Sequence, residues 1–356
     1  MAHWLNFGHT SLTYNDVQVV PAYSNIESRK NISTRTRLVG EVYIDHPLIP
    51  ANMDTISSVD MVNAANKNGG ICFFHRFYDT NQMIENIGEV IYNTLGTIGI
   101  SVGVQSYDKT YANIMYDHIR LLGGDNVNIV FLIDVAHGHH KLVAEMVSHL
   151  KTHHPDAYVI AGNIATGEAA HFLIGAGVDG LKVGVGPGSL CSTRIQTGAG
   201  VPQFTAVLEV AAAIENTSSD ATLIADGGIK YSGDIVKAIG AGADSVMSGY
   251  LFAGTDATPG VVETTINGPS MKVYRGSASR ESKMDRGESN FVEGVATRIP
   301  FKGNGSTDMV FKDTLDGIRS GLSYAGFDNL MDSVGNMWFT KISNSSIIEA
   351  HPNGGN

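Results

Sequence analysis

In the stretch IVFLIDVAHGHHKLVAEMVSHLKTHHPDAYVIAGN, residues 129–163, two apolar runs flank an amphipathic one. IVFLIDVA (129–136) and AYVIAGN (157–163) are nearly continuous in apolar side chains, as expected of strands covered on both faces. HKLVAEMVSHLKTHH (140–154) spaces its apolar residues for a helix with one buried face. The stretch therefore reads as strand, helix, parallel strand, the repeating unit of an α/β fold.

Outward from this unit the pattern recurs. Further strands are read at LIPANM (48–53), ICFFHR (71–76), TIGISVG (97–103), LKVGVG (181–186), TLIADGG (222–228) and SVMSGYLF (245–252). Helices are read at 57–69, 167–177, 204–216 and 232–242. Eight strands with intervening helices predict a TIM (β/α)8 barrel, with a doubly wound open sheet as the competing fold. In a barrel, residues at the strand C-termini converge on one mouth: Asn52, Asp54, His75, Asp134, Asn163, Gly186, Asp226 and Gly249. The whole chain, 1–356, reads as one barrel domain. Residues 271–303, mixed in charge, Gly and Ser, read as a mobile flap over the mouth, and 345–356 as a flexible tail.

Composition narrows the function classes. Hydrophobic residues make up 43% and charged residues 17%, which excludes a disordered chain. A formal charge of -11 disfavours non-specific nucleic-acid binding, while leaving open phosphate binding by backbone N–H groups. Two cysteines, Cys72 and Cys191, do not suggest a disulfide scaffold. The opening MAHWLNFGHTSLTYNDV does not resemble a signal peptide, and no apolar run approaches the roughly 20 residues of a spanning helix. A cytoplasmic protein without membrane contact is the expectation.

Chemistry concentrates in LKVGVGPGSLCSTRIQTGAGVPQ (181–203). A loop so rich in glycine can curl tightly and present carbonyls to a monovalent cation or N–H groups to phosphate. Cys191 in the polar setting GSLCSTR reads as a nucleophile, with Thr193 placed to orient a second reactant. The bland alternative is a buried, inert thiol, which is how Cys72 in GGICFFHR reads. A second cluster, IADGGIKYSGDIVKAIGAG (224–242), ends a strand on Asp226, a suitable acceptor for ribose hydroxyls. Gly227, Gly228 and Gly249 can bring N–H groups to a phosphate, with Ser189 adding a hydroxyl. A plain turn is the alternative for the glycine pair. HGHH (137–140) lacks the spacing of a zinc site.

GPGSLCSTRIQTGAGVPQ (186–203) closely resembles the active-site loop of the IMP dehydrogenase and GMP reductase family. LTYNDVQVVPA (12–22), ANMDT (51–55), IDVAHGH (133–139), AGNIAT (161–166), IADGG (224–228) and GYLFAG (249–254) match it in order. The resemblance implies a purine 5′-monophosphate at the mouth of a tetrameric, or octameric, barrel. It makes Cys191 the group that attacks purine C2. It places Ser189, Gly227, Gly228, Gly249 and Tyr274 at the phosphate, Asp226 at the ribose, and Asn52 and Met53 beside the nucleotide. Asp134 and Asn163 fall on the cofactor side, and the carbonyls of Gly184, Gly186 and Cys191 are those that hold potassium in some members.

Two directions of chemistry follow from the resemblance. The dehydrogenase oxidises IMP to XMP with NAD, using an Arg-Tyr pair in a long flap, and usually carries inserted regulatory modules. No Arg-Tyr dipeptide occurs here, the flap YRG to VEG spans only 274–294, and no insert follows the second strand. These features favour GMP reductase: NADPH-dependent conversion of GMP to IMP and ammonia through a Cys191–C2 thioimidate. Thr193 and a flap glutamate would then protonate the leaving ammonia. Glu281 is the choice, Glu288 the reserve, and Arg280 stands where the reductase pattern has its acid. IMP dehydrogenase is the alternative, and a non-catalytic purine-nucleotide-binding barrel the second.

Overall fold

The structure, a computed structural model, describes residues 10–93, 96–264, 268–287 and 292–350. Three short strands come first: β1 (Val17–Val19), β2 (Thr36–Val39) and β3 (Val42–Ile44). The barrel strands are β4 (Leu48–Pro50), β5 (Phe73–Phe74), β6 (Thr97–Val102), β7 (Asn128–Asp134), β8 (Tyr158–Ile164), β9 (Gly180–Val183), β10 (Thr222–Asp226) and β11 (Ser245–Ser248). They form one parallel sheet in the order β4-β11-β10-β9-β8-β7-β6-β5. Because β11 pairs with β4, the sheet curls into a nearly closed barrel, with the ladder open between β4 and the two-residue β5. This is the TIM (β/α)8 barrel that the strand–helix alternation predicts.

The strands are apolar on both faces because both faces are buried. Along β7, Val130 and Leu132 point into the barrel core with Ile49, Phe73, Ile160, Ile224 and Met247. Ile129, Phe131 and Ile133 face the helices instead. At the end where the strands begin, the β2–β3 hairpin adds Leu38, Val39, Val42 and Ile44 to the interior. It is fastened there by the Thr222 hydroxyl donating to the Leu38 carbonyl at 2.6 Å and the Thr36 hydroxyl donating to the Asp244 carbonyl at 2.7 Å. Chemistry is therefore confined to the other end.

The surrounding helices are α1 (Val59–Lys67), α2 (Thr80–Val90), α3 (Ser106–Gly123), α4 (Lys141–His153), α5 (Gly167–Ala176), the short α6 (Thr193–Thr197), α7 (Gln203–Thr217) and α8 (Ser232–Gly240). Their ends follow local rules. Ser58 caps α1 by accepting the Met61 N–H at 3.1 Å, and α5 stops at Gly177, whose φ of +94° few other residues adopt. α3 is absent from the sequence-based helices because its buried stripe is narrow: Ala112, Met115 and Ile119 among polar residues.

The described residues of 271–303 include regular elements. They open and close as an antiparallel hairpin, β12 (Met271–Arg275) with β13 (Ala296–Pro300), and carry the short helix α9 (Arg280–Asp285) between. The long α10 (Ser306–Ala325) follows. Near the C-terminus, Phe339–Lys341 pairs with β1, and Asn344–Glu349 is helical where the tail is expected to begin. Among the described residues, no helix is long and apolar enough to cross a membrane.

Candidate active site

A cavity of about 420 Å³ opens at the C-terminal mouth of the barrel. Its lining brings together Asn52, Met53, Asp134, Asn163, Gly184, Gly186, Ser189, Cys191, Thr193, Asp226, Gly227, Gly228, Gly249 and Tyr274, residues dispersed over 223 positions of sequence from Asn52 to Tyr274. Cys191 is exposed, whereas Cys72 is buried and its thiol is pushed up to about 12 by that burial. Only the first can meet a ligand.

The loop between β9 and α6 delivers the thiol. Cys191 donates to the Thr193 hydroxyl at 3.1 Å, and Thr193 donates to Glu293 Oε2 at 2.8 Å. The flap is joined to this loop by backbone hydrogen bonds: Ser192 N–H to the Glu293 carbonyl at 2.9 Å and Val295 N–H to the Leu190 carbonyl at 3.0 Å. These bonds seat Glu293 on Thr193. Glu281, the sequence-based choice for this place, is instead exposed in the first turn of α9 and does not line the cavity. Helix α9 turns that side chain outward, while the antiparallel return of the flap carries Glu293 in. Glu288 lies outside the described residues. Arg280 is likewise exposed, and the flap cations that do line the cavity are Lys283 and Arg286. Arg286 sits 4.0 Å from the Phe77 ring centroid and donates to Ser282 at 2.6 Å.

On one side of the thiol, the buried Tyr274 hydroxyl lies 3.2 Å from the Ser189 hydroxyl. Burial raises the Tyr274 phenol above its ordinary value, so it remains a donor. A Cβ at Gly249 would lie 2.9 Å from Tyr274 Oη, which is why the chain is bare there. Gly227 and Gly228 both have positive φ, +90° and +78°, and turn the backbone sharply after Asp226. Gly227 gives its own N–H to the Met247 carbonyl at 3.2 Å, so its part is the bend rather than a donor to phosphate.

On the other side stand the two carboxylates the sequence reading named, Asp226 and Asp134, together with a lysine it missed. Lys182, 2% exposed, lies 2.7 Å from Asp226 and 2.9 Å from Asp134. Burial alone would depress its ammonium, but the two carboxylates hold it above its ordinary value. Burial alone would likewise raise the Asp134 carboxyl, and Lys182, Arg76 and the Asn52 side chain keep it below its ordinary range. Asn163 donates to Asp226 at 2.9 Å and to the Gly184 carbonyl at 2.8 Å. The signal for Lys182 was a single charge inside an apolar strand, LKVGVG. Two residues expected at the mouth, His75 and Asp54, do not line the cavity. His75 stacks on Tyr78 with centroids 3.9 Å apart, and Asp54 pairs with Arg275 of the flap at 3.0 Å.

The family model described as "IMP dehydrogenase / GMP reductase domain" matches residues 11–353. The chain belongs to the IMP dehydrogenase / GMP reductase family. It is thus an enzyme of a purine-nucleotide oxidoreductase family. Among family relatives, one from Borreliella burgdorferi, named inosine-5'-monophosphate dehydrogenase, is 35% identical over 96% of each chain. Proteins of the same name from Streptococcus pyogenes and Chlorobaculum parvum are 42% and 40% identical over 72% of this chain. The match covers 52% of the length of each of these two.

Proposed function

We propose that the protein oxidises IMP to XMP with NAD, through a covalent bond between Cys191 and purine C2. The hydrogen-bonded series Cys191–Thr193–Glu293 at the barrel mouth supports the covalent chemistry, and the dehydrogenase name of a relative covered over 96% of its length carries the direction. Cys191 adds to C2 as its proton passes through Thr193 to Glu293 and on to solvent, and the hydride on C2 then leaves. A nicotinamide, when bound, supplies the acceptor for that hydride. The remaining thioimidate is opened by water. Thr193 accepts a proton from the water as its own passes to Glu293, and Cys191 departs as the thiolate.

The donor set suits two nucleotides. Asp226 and Asp134 each offer a carboxylate to a ribose, Asp226 for the purine nucleotide and Asp134, with Asn163, on the cofactor side. Ser189, Tyr274 and the backbone at Gly228 and Gly249 suit the phosphate, and Asn52 and Met53 flank the nucleotide. The proposal assigns no role to potassium. The Gly184 carbonyl already accepts from Asn163, and the Arg194 guanidinium donates to the carbonyls of Val185 and Val201 beside Gly186.

The direction departs from the reductase preference of the sequence reading. A relative covered over 96% of its length bears the dehydrogenase name, so the lack of an inserted module does not favour a reductase. GMP reductase with NADPH remains the second reading on two observations: no arginine of the flap is followed by tyrosine, and Thr193 with Glu293 forms the threonine–glutamate pair that reading calls for. Reduced-cofactor absorbance decides between them. Formation with IMP and NAD supports the proposal, consumption with GMP and NADPH replaces it with the reductase, and nucleotide binding without turnover supports a silent barrel. In each active case, Cys191→Ala abolishes turnover and the mass of acid-quenched protein shows the purine adduct only on the parent.

A further inference from the structure

Lys182 is the one buried cation that touches both sides of the cavity among the described residues. It stands on β9, in register with Gly162 of β8, which is itself in register with Asp134 of β7. Its side chain must therefore pass over Gly162 to reach Asp134. A Cβ at Gly162 would lie 2.7 Å from the Lys182 Cβ, so the glycine clears the way. In the other direction β10 is the neighbouring strand, and Asp226 at its end meets the same Nζ.

Each carboxylate is further fixed. Asp226 Oδ2 receives both Lys182 and the Asn163 amide, which leaves Oδ1 for a ligand. Asp134 receives Lys182 through Oδ1 and is steadied by Asn52, whose amide also donates to Ser101 at 2.9 Å. Arg76, at the edge of the cavity, is the other cation whose charge reaches Asp134. The ammonium is shared, so a change in what Asp226 binds changes how strongly Lys182 is held by Asp134.

We propose that Lys182 is a positioning residue that joins the nucleotide-side carboxylate Asp226 to the cofactor-side carboxylate Asp134, so that filling either subsite strengthens binding at the other. This rests on the proposed roles of those two carboxylates. Lys182 touches no reacting atom, and its effect is a coupling between sites, which is reciprocal.

The experiment uses Cys191→Ala protein, in which nucleotide and NAD bind without reacting. NAD affinity is measured by calorimetry with and without saturating IMP, and the ratio of the two constants is the coupling factor. The expected factor is about 5 or more, within the usual span for coupled sites. Adding Lys182→Gln brings it to about 1 and weakens each ligand alone by roughly 10- to 100-fold. Lys182→Arg, which keeps the charge, restores most of the coupling. Should Lys182→Gln fail to fold, the charge-balanced pair Lys182→Met with Asp134→Asn decides: IMP binding through Asp226 survives and the coupling is lost. A coupling factor near 1 with Lys182 in place, or one left intact without it, overturns the inference alone. Failure of the Cys191→Ala protein to bind either IMP or GMP overturns the functional reading and this inference with it.

Discussion

Thr193 and Glu293, a hundred positions apart in sequence, are 2.8 Å apart at the barrel mouth, with the threonine hydroxyl donating to the carboxylate. This pair makes the flap part of the active site. A backbone bond from Ser192 to Glu293 fixes the spacing, so the carboxylate needs no search to find its partner. A proton leaving Cys191 or a water beside Thr193 can pass through the threonine hydroxyl to the carboxylate.

The pair separates two glutamates that the flap sequence leaves alike. Glu293→Gln keeps a hydrogen bond to Thr193 and removes the proton acceptor, so kcat should fall by about 100-fold or more, the usual weight of general acid–base help. Nucleotide affinity should stay within a few-fold of the parent. Glu281→Gln, on the outer side of α9, should leave kcat unchanged. Steady-state kinetics of the two variants side by side check this, and equal losses would remove Glu293 from its role.

The barrel was legible in the sequence because its strands are apolar on both faces and its helices on one. The exposed thiol at the mouth was legible because a lone cysteine in a glycine-rich polar loop has few structural uses. Glu293 was not, because the flap pairs back on itself and only the register of β12 with β13 shows which glutamate turns inward. Lys182 was overlooked for the opposite reason. Its strand is so apolar that the charge reads as an interruption, and the two carboxylates that justify it lie 48 residues before and 44 after, since Asp134 and Asp226 flank position 182.

Gly249 offers a test of the phosphate side. A methyl group there would press on Tyr274 Oη and Met53 Sδ, each 2.9 Å from the added carbon. Methionine can swing aside, but the buried tyrosine cannot move without leaving Ser189. Gly249→Ala should therefore weaken binding of a purine 5′-monophosphate by about tenfold, the loss of one hydrogen bond to a charged group. Binding of the corresponding nucleoside should not change. Calorimetry with IMP and inosine distinguishes the cases, and a parallel loss for both ligands would place the phosphate elsewhere.

The flap is anchored at its base by Asp54. Its Oδ2 accepts from Arg275 at 3.0 and 3.1 Å and from the Ser282 hydroxyl at 2.9 Å, and Asp54 and Arg275 are both largely shielded from water. Asp54→Asn removes the charge that holds both. Trypsin should then cut within 276–287, after Arg280, Lys283 or Arg286, about tenfold faster than in the parent, as local opening becomes easier. Turnover should fall with it, because Glu293 depends on the same docked flap. Unchanged cleavage would show that the backbone bonds to the Cys191 loop suffice.

Asp244, just before β11 and far from the mouth, gives a stability test independent of function. Burial pushes its carboxyl up to about 6, although the Leu223 N–H at 2.8 Å and the nearby Arg37 oppose the rise. The folded protein thus holds this proton more tightly than the unfolded chain, whose carboxyl titrates near 3.9. The group's favourable contribution is complete below about pH 4 and is lost as pH rises through about 6. Above that, folding must bury an ionised carboxylate. In Asp244→Asn the amide oxygen can still accept from Leu223 and no charge is buried. Each tenfold difference in proton affinity between the folded and unfolded chain is about 1.4 kcal/mol, so the variant should gain about 1–3 kcal/mol over the parent at pH 7.5. That corresponds to a rise of about 1–4 °C in Tm for a chain of this size. At pH 4 the two proteins should melt together. Melting curves at both pH values are the measurement, and a gain of equal size at each would mean that Asp244 is ionised in the folded state at both.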